Sequence, residues 1–206
     1  MEVTVRQRQI YYFMANYYYK YGVTPGIREI GAAVHLRGSA AVKYQVDQLV
    51  EGGLLDRVTG KPHGLSLHGS RQYPVPLVGT IAAGKPLRLP ETSFSLTDYD
   101  VIFAPTDMAS PESEVFALQV KGNSMIDALV RDGDVVLLRR QDTADDGEMV
   151  AALLTEENET TLKYLFREPE KGRVRLQPAH PYMPPFYVQP DKLRVQGKVV
   201  GVIRKV

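Results

Sequence analysis

Apolar residues recur at helical spacing through the first fifty positions. Ile10, Phe13, Met14, Tyr17 and Tyr21 define the buried face predicted for a first helix. Tyr11, Tyr12, Tyr18 and Tyr19 make that helix aromatic almost all round. Gly22 predicts its end, and Pro25 can open a second helix over residues 26–34 that carries Ile27, Ile30 and Val34. Ser39 is the expected N-cap of a third helix, because its hydroxyl can accept from a free first-turn amide. Val42, Val46, Leu49 and Val50 give that helix its core face, and Ala40, Lys43, Tyr44 and Asp47 its outer one. Gly52 and Gly53 stop it. Residues 54–58 and 65–67 then read as short strands around a turn at 59–64.

Three helices followed by a β-hairpin predict a winged helix-turn-helix over residues 1–69. Residues 70–75 read as a linker. Beyond it the pattern changes to short apolar runs cut by Gly and Pro, at 75–81, 115–120, 134–138, 148–154, 160–165, 174–177 and 193–204. Such runs predict an all-β domain over 76–206. The expected fold class is therefore α+β in two domains.

Composition adds exclusions. The 206 residues are 44% hydrophobic and 24% charged, which excludes a disordered or collagen-like chain. No apolar run reaches the roughly 18 residues of a membrane span, and the N-terminus has no apolar signal core. The chain has no cysteine, which excludes disulfides and thiolate chemistry and fits a cytoplasmic protein. The four histidines have no ligand spacing, so neither a metal nor a cofactor is expected. Residues 1–69 hold eight Lys+Arg against five Asp+Glu, and the rest seventeen against nineteen. A mildly basic head on a mildly acidic body fits a nucleic-acid module joined to something else.

A helix-turn-helix sets its second motif helix in the major groove of double-stranded DNA. The groove-facing candidates are Ser39, Ala40, Ala41, Lys43 and Tyr44, with Arg57, Lys61 and His63 of the hairpin in reach of phosphates. In the body, Lys121-Gly122-Asn123-Ser124-Met125 precedes Asp132-Gly133-Asp134, and Thr161-Leu162-Lys163 sits in a strand-like run. Ala82-Ala83-Gly84-Lys85 follows the linker. Each motif alone has an ordinary structural reading, as turn, edge charge or loop.

Taken in order, these motifs and Pro25-Gly26-Ile27-Arg28-Glu29-Ile30, with Gly201-Val202-Ile203-Arg204 at the end, resemble the LexA-type self-cleaving transcriptional repressors nearly end to end. The resemblance implies that Ser124 is a nucleophile and Lys163 its general base. It implies that Ala83–Gly84 is the scissile bond and that the backbone amides of Asn123 and Ser124 stabilise the oxyanion. It adds Arg28 to the DNA-contacting residues. It also implies a homodimer on operator DNA, in the DNA-damage (SOS) response, cut when a RecA filament on single-stranded DNA engages it. A base of this kind requires an amine held well below the ordinary lysine pKa of about 10.4, which burial in an apolar wall can achieve. The chain departs from the family pattern at Gly26, where Ser or Thr is usual, and at His35, where glycine is common. It departs again at Ala40 and Ala41, where polar residues are usual, so operator and trigger can differ from the standard ones. A phage-type repressor shares the body but commonly lacks the hairpin. A signal-peptidase relative shares the dyad but carries a membrane anchor.

Overall fold

Thr4 opens the first helix with a reciprocal cap. Its hydroxyl accepts from Gln7 N–H, and the Gln7 side chain accepts from Thr4 N–H at 2.9 Å. The computed structural model of the chain describes residues 3–60, 62–68, 72–82, 89, 99–110 and 113–204. It divides into two units, Met1–Val75 with Ser95–Glu112, and Pro76–Phe94 with Ser113–Val206.

In the first unit, α1 (Val5–Tyr21) ends as expected at Gly22, whose φ of 72° is left-handed. Its buried stripe differs from the expected one. Gln7, Ile10, Tyr11, Met14 and Ala15 face inward, whereas Tyr21 is exposed. Tyr11 is drawn in by Phe103, which meets it edge-on at 5.3 Å. Phe103 belongs to β4 (Asp100–Pro105), a strand the apolar pattern did not announce.

The short α2 (Ile27–Ala33) lacks a capping side chain at Gly26, but Glu29 accepts from Gly26 N–H at 2.7 Å and supplies the missing contact. α3 (Ser39–Glu51) corrects the expected cap: Gly38 is the N-cap and Ser39 is the first helical residue. The physical reason is backbone shape. Gly38 has φ 89° and ψ 128°, a conformation open to glycine and closed to serine. Val42, Val46 and Leu49 are buried as expected. The hairpin pairs β1 (Leu55–Arg57) with β2 (Leu65–Leu67), and Leu55, Leu65 and Leu67 join Ile10, Met14, Ile30, Val42, Val46 and Leu49 in one core.

The second unit is built on a β-sheet. β3 (Gln72–Ile81) enters it, so residues 72–75, read as linker, are already strand. From β3 the order runs β5 (Val115–Val120), β6 (Val135–Arg139), β11 (Leu193–Ile203), β7 (Met149–Leu154), β8 (Glu159–Glu168), β9 (Arg173–Gln177) and β10 (Phe186–Val188). β3 and β5 are parallel, and the other pairs in this series are antiparallel. All seven expected runs are strands. β10 is additional, being only three residues long and mixed in character.

The longest strand, β11, serves two neighbours. It pairs with β7 in its first half and with β6 in its second, with register shifts at 195–197 and 199–201. Gly197 permits this switch. A Cβ there would lie 2.9 Å from the Arg139 carbonyl oxygen and 3.2 Å from the Phe116 ring.

Candidate functional site

β5 ends at Val120 and β6 begins at Val135, and the connection between them carries Ser124. Two bonds clamp its base: Val120 N–H donates to Asp134 O at 2.7 Å, and Gly133 N–H to Val120 O at 2.9 Å. Above them, Gly122 N–H donates to Asp132 Oδ1 at 2.7 Å and Asp132 N–H to Asn123 Oδ1 at 3.2 Å. Gly122 has φ 101°, so a side chain at this turn would be strained. Met125 is buried and pins the far side, its carbonyl accepting from Val130 N–H at 3.2 Å. The loop is thus held at both ends while the Ser124 side chain stands half-exposed between them.

Lys163 approaches from β8. Side chains alternate along a strand, so Thr161 and Lys163 fall on one face. Lys163 is 7% exposed. Its Nζ lies 2.8 Å from Ser124 Oγ, 3.0 Å from Thr161 Oγ1 and 2.9 Å from the Leu162 carbonyl oxygen. A neutral amine has two N–H donors and one lone pair. Thr161 and Leu162 can accept the two protons, which leaves the lone pair for the Ser124 hydroxyl proton. Burial pushes the Lys163 amine from 10.5 down to about 8, while the charge of Glu159 acts in the opposite direction. Thr161 has the signal of a positioning residue in its two-residue spacing from Lys163, which motif order alone does not reveal.

Around this pair lies a cleft of about 430 Å³. Ile81 and Ala82 line one part, Lys121 to Met125 another, and Met183, Pro184 and Phe186 a third, with Glu159 also at its wall. Asn123 and Ser124, expected to supply oxyanion amides, both border it. Ala83 and Gly84 lie outside the described residues. The last described residues before them, Ile81 and Ala82, are at the cleft, and Ile81 O accepts from Lys121 N–H at 2.9 Å.

On the head, Arg28, Ser39, Ala40, Ala41, Lys43 and Tyr44 are all exposed, and Tyr44 is 60% so. Ser39, Ala40 and Lys43 lie on one face of α3. Arg57 is exposed but ion-paired with Asp47 of α3, so it fastens the hairpin to that helix. Lys61 lies outside the described residues. His35 has φ 52°, a left-handed conformation that glycine adopts more readily than histidine. His63 sits against Gly26, where an added Cβ would lie 3.1 Å from its ring. Among the described residues no helix is long and apolar enough to cross a membrane, and no group of His, Asp or Glu is arranged to hold a metal ion.

A three-helix head with an exposed third helix, joined to a β body with a hydroxyl–amine pair in a cleft, defines a DNA-binding protein that carries a serine-peptidase-type domain. The family models agree: LexA DNA binding domain matches residues 1–64, and Peptidase S24-like matches residues 76–200. The LexA repressor of Roseiflexus sp. strain RS-1 is 41% identical over 98% of this chain and 96% of its own length. Those of Herpetosiphon aurantiacus and Thermotoga neapolitana are each 38% identical, over 97% and 100% of this chain and 96% and 99% of theirs. The chain belongs to the LexA repressor family, whose members join a DNA-binding domain to an S24 cleavage domain.

Proposed function

We propose that this protein represses transcription by binding operator DNA as a homodimer and is inactivated by cutting its own Ala83–Gly84 bond. In the reaction, Lys163 Nζ takes the Ser124 hydroxyl proton as Oγ attacks the Ala83 carbonyl carbon. The amides of Asn123 and Ser124 receive the developing oxyanion. The Ala83–Gly84 C–N bond breaks as the Lys163 ammonium returns its proton to the Gly84 amine, and water then hydrolyses the Ala83 ester. Thr161 and Leu162 O orient the base. The observation that carries the reading is a buried lysine, 2.8 Å from a serine hydroxyl, whose charged form is disfavoured.

Arg28, Ser39, Ala40, Ala41, Lys43 and Tyr44 meet the operator, with Arg57 and Lys61 of the hairpin near its phosphates. Dimerisation uses the last strand of the body, which carries the exposed Val202, together with the exposed Leu129 of the loop that Arg204 contacts. A RecA filament on single-stranded DNA favours the conformation in which the cleavage segment occupies the cleft, which links cutting to DNA damage.

Mass spectrometry of the full chain after alkaline incubation tests the chemistry. Fragments 1–83 and 84–206 are expected from the wild type and from neither Ser124→Ala nor Lys163→Ala. A cut elsewhere, or an unchanged cut in Ser124→Ala, overturns the assignment. Adding RecA and single-stranded DNA at neutral pH tests the trigger, which should produce the same two fragments.

A further inference from the structure

One buried ionic group takes no part in the chemistry above. Asp134, at the foot of the Ser124 loop, is 3% exposed. Its Oδ1 accepts from Arg204 Nε at 2.7 Å, and its Oδ2 accepts from Arg204 Nη2 at 2.6 Å and from Arg131 N–H at 2.8 Å. The same Nη2 donates to the Leu129 carbonyl oxygen at 2.8 Å. Leu129 has φ 61°, a left-handed turn in a residue that rarely adopts one, with its side chain 70% exposed. No burial of the leucine side chain offsets that strain. Backbone bonds close the turn, Leu129 N–H to Ile126 O at 2.9 Å and Val130 N–H to Met125 O at 3.2 Å, and the Arg204 contact ties its free carbonyl to Asp134.

Arg204 therefore bridges three points on the connection between β5 and β6. It holds Asp134 directly, Arg131 through the shared carboxylate, and Leu129 through its carbonyl. The segment from 129 to 134 is the return half of the loop whose outward half carries Ser124. The halves meet at Asp132, which accepts from Gly122 N–H and donates to Asn123 Oδ1. A planar guanidinium suits this task because its fork fixes the carboxylate in two directions at once.

We infer that Arg204 is a positioning residue for self-cleavage, setting the height of the Ser124 loop over Lys163 through the buried Asp134 carboxylate. The inference rests on the Ser124–Lys163 reading. Arg204 touches neither the substrate bond nor the dyad. Its effect is on how often Ser124 Oγ stands at bonding distance from Lys163 Nζ. Misplacement of a reacting atom by about an ångström is enough to cost about 100-fold in rate.

The test uses the full chain and two readouts. One is self-cleavage between pH 7 and 10, and the other is the rate at which a fluorophosphonate probe labels Ser124, which needs no docked segment. Arg204→Ala is expected to lower both rates about 10- to 100-fold per folded molecule, with the pH midpoint unchanged because Lys163 keeps its surroundings. Arg204→Lys retains the charge but loses the fork and should recover only part of the rate. Circular dichroism and a melting curve give the folded fraction for each variant. Should Arg204→Ala fail to fold, Arg204→Lys and Asp134→Asn carry the same comparison.

Wild-type rates per folded molecule in these variants would overturn the positioning role while leaving the dyad intact. A shifted pH midpoint would overturn it too, by showing that the change reaches the base. Equal labelling of Ser124→Ala and the wild type would overturn the dyad and the positioning role together.

Discussion

Lys163 combines burial with polar partners in a way that makes its proton the controlling variable. Its amine is pushed down to about 8 by burial, against an upward pull from Glu159. On the proposed mechanism the neutral amine is the active form, so self-cleavage should rise with pH through about 8 and level off above it. Glu159→Gln removes the charge that favours the ammonium. The midpoint should then move to lower pH and the rate at neutral pH should increase, which a rate–pH series on the two proteins measures. An unmoved midpoint would show that Glu159 does not act on the amine.

The same shift enters stability. The folded amine loses its proton near pH 8 and the unfolded one near 10.5. Between those values the unfolded chain binds more protons, so stability rises with pH across that window. Denaturant unfolding of Ser124→Ala, which is expected not to cut itself, should gain about 1–3 kcal/mol from pH 8 to 10. Ser124→Ala with Lys163→Met should lack that gain.

At the scale of elements, strands and helices follow from the spacing of apolar residues, and each exception has an identifiable cause. The apolar runs locate seven strands because each has a core face. They miss β10, where Phe186, Tyr187 and Val188 are three residues without full burial, and β4, whose role depends on Phe103 meeting Tyr11. Burial of Tyr11 rather than Tyr17 on α1 has the same origin, since a distant aromatic selects which side of an all-aromatic helix is covered. Ser39 is a good cap by composition, yet the turn before α3 needs a φ that Gly38 alone supplies.

Motif order singles out Ser124 and Lys163 as candidates, and the two side chains lie 2.8 Å apart. The contacts of Thr161, Leu162 O and Asp134 become visible only when the strands are placed. Two substitutions test the backbone arguments. Gly197→Ala brings a Cβ onto the Arg139 carbonyl and should destabilise the body by at least about 2 kcal/mol in denaturant unfolding. Gly38→Ala meets open space but an unfavourable φ, and should cost about 1–3 kcal/mol.

For the whole molecule, the proposed cut matters because it would separate a reader of DNA from the part proposed to pair two readers. Linking two binding modules raises their joint affinity by about 10²–10⁴-fold through effective concentration. Fragment 1–83 should accordingly bind a two-half-site operator about 10²–10⁴-fold more weakly than uncut Ser124→Ala. A gel-shift titration at fixed salt compares them, and equal affinities would mean that cutting does not relieve repression. Lys43→Ala, on the exposed face of α3, should weaken operator binding in both forms by about 1–3 kcal/mol if it reads a base.

The burial of the Lys163 nitrogen has one more consequence. With its pKa about 8, the amine is uncharged in roughly a tenth of molecules at pH 7. On the self-cutting reading, each copy then ages alone, at a pace indifferent to dilution and set by the acidity of its surroundings. A stock of this repressor kept slightly acidic should outlast an alkaline one many times over, whatever the concentration in the tube.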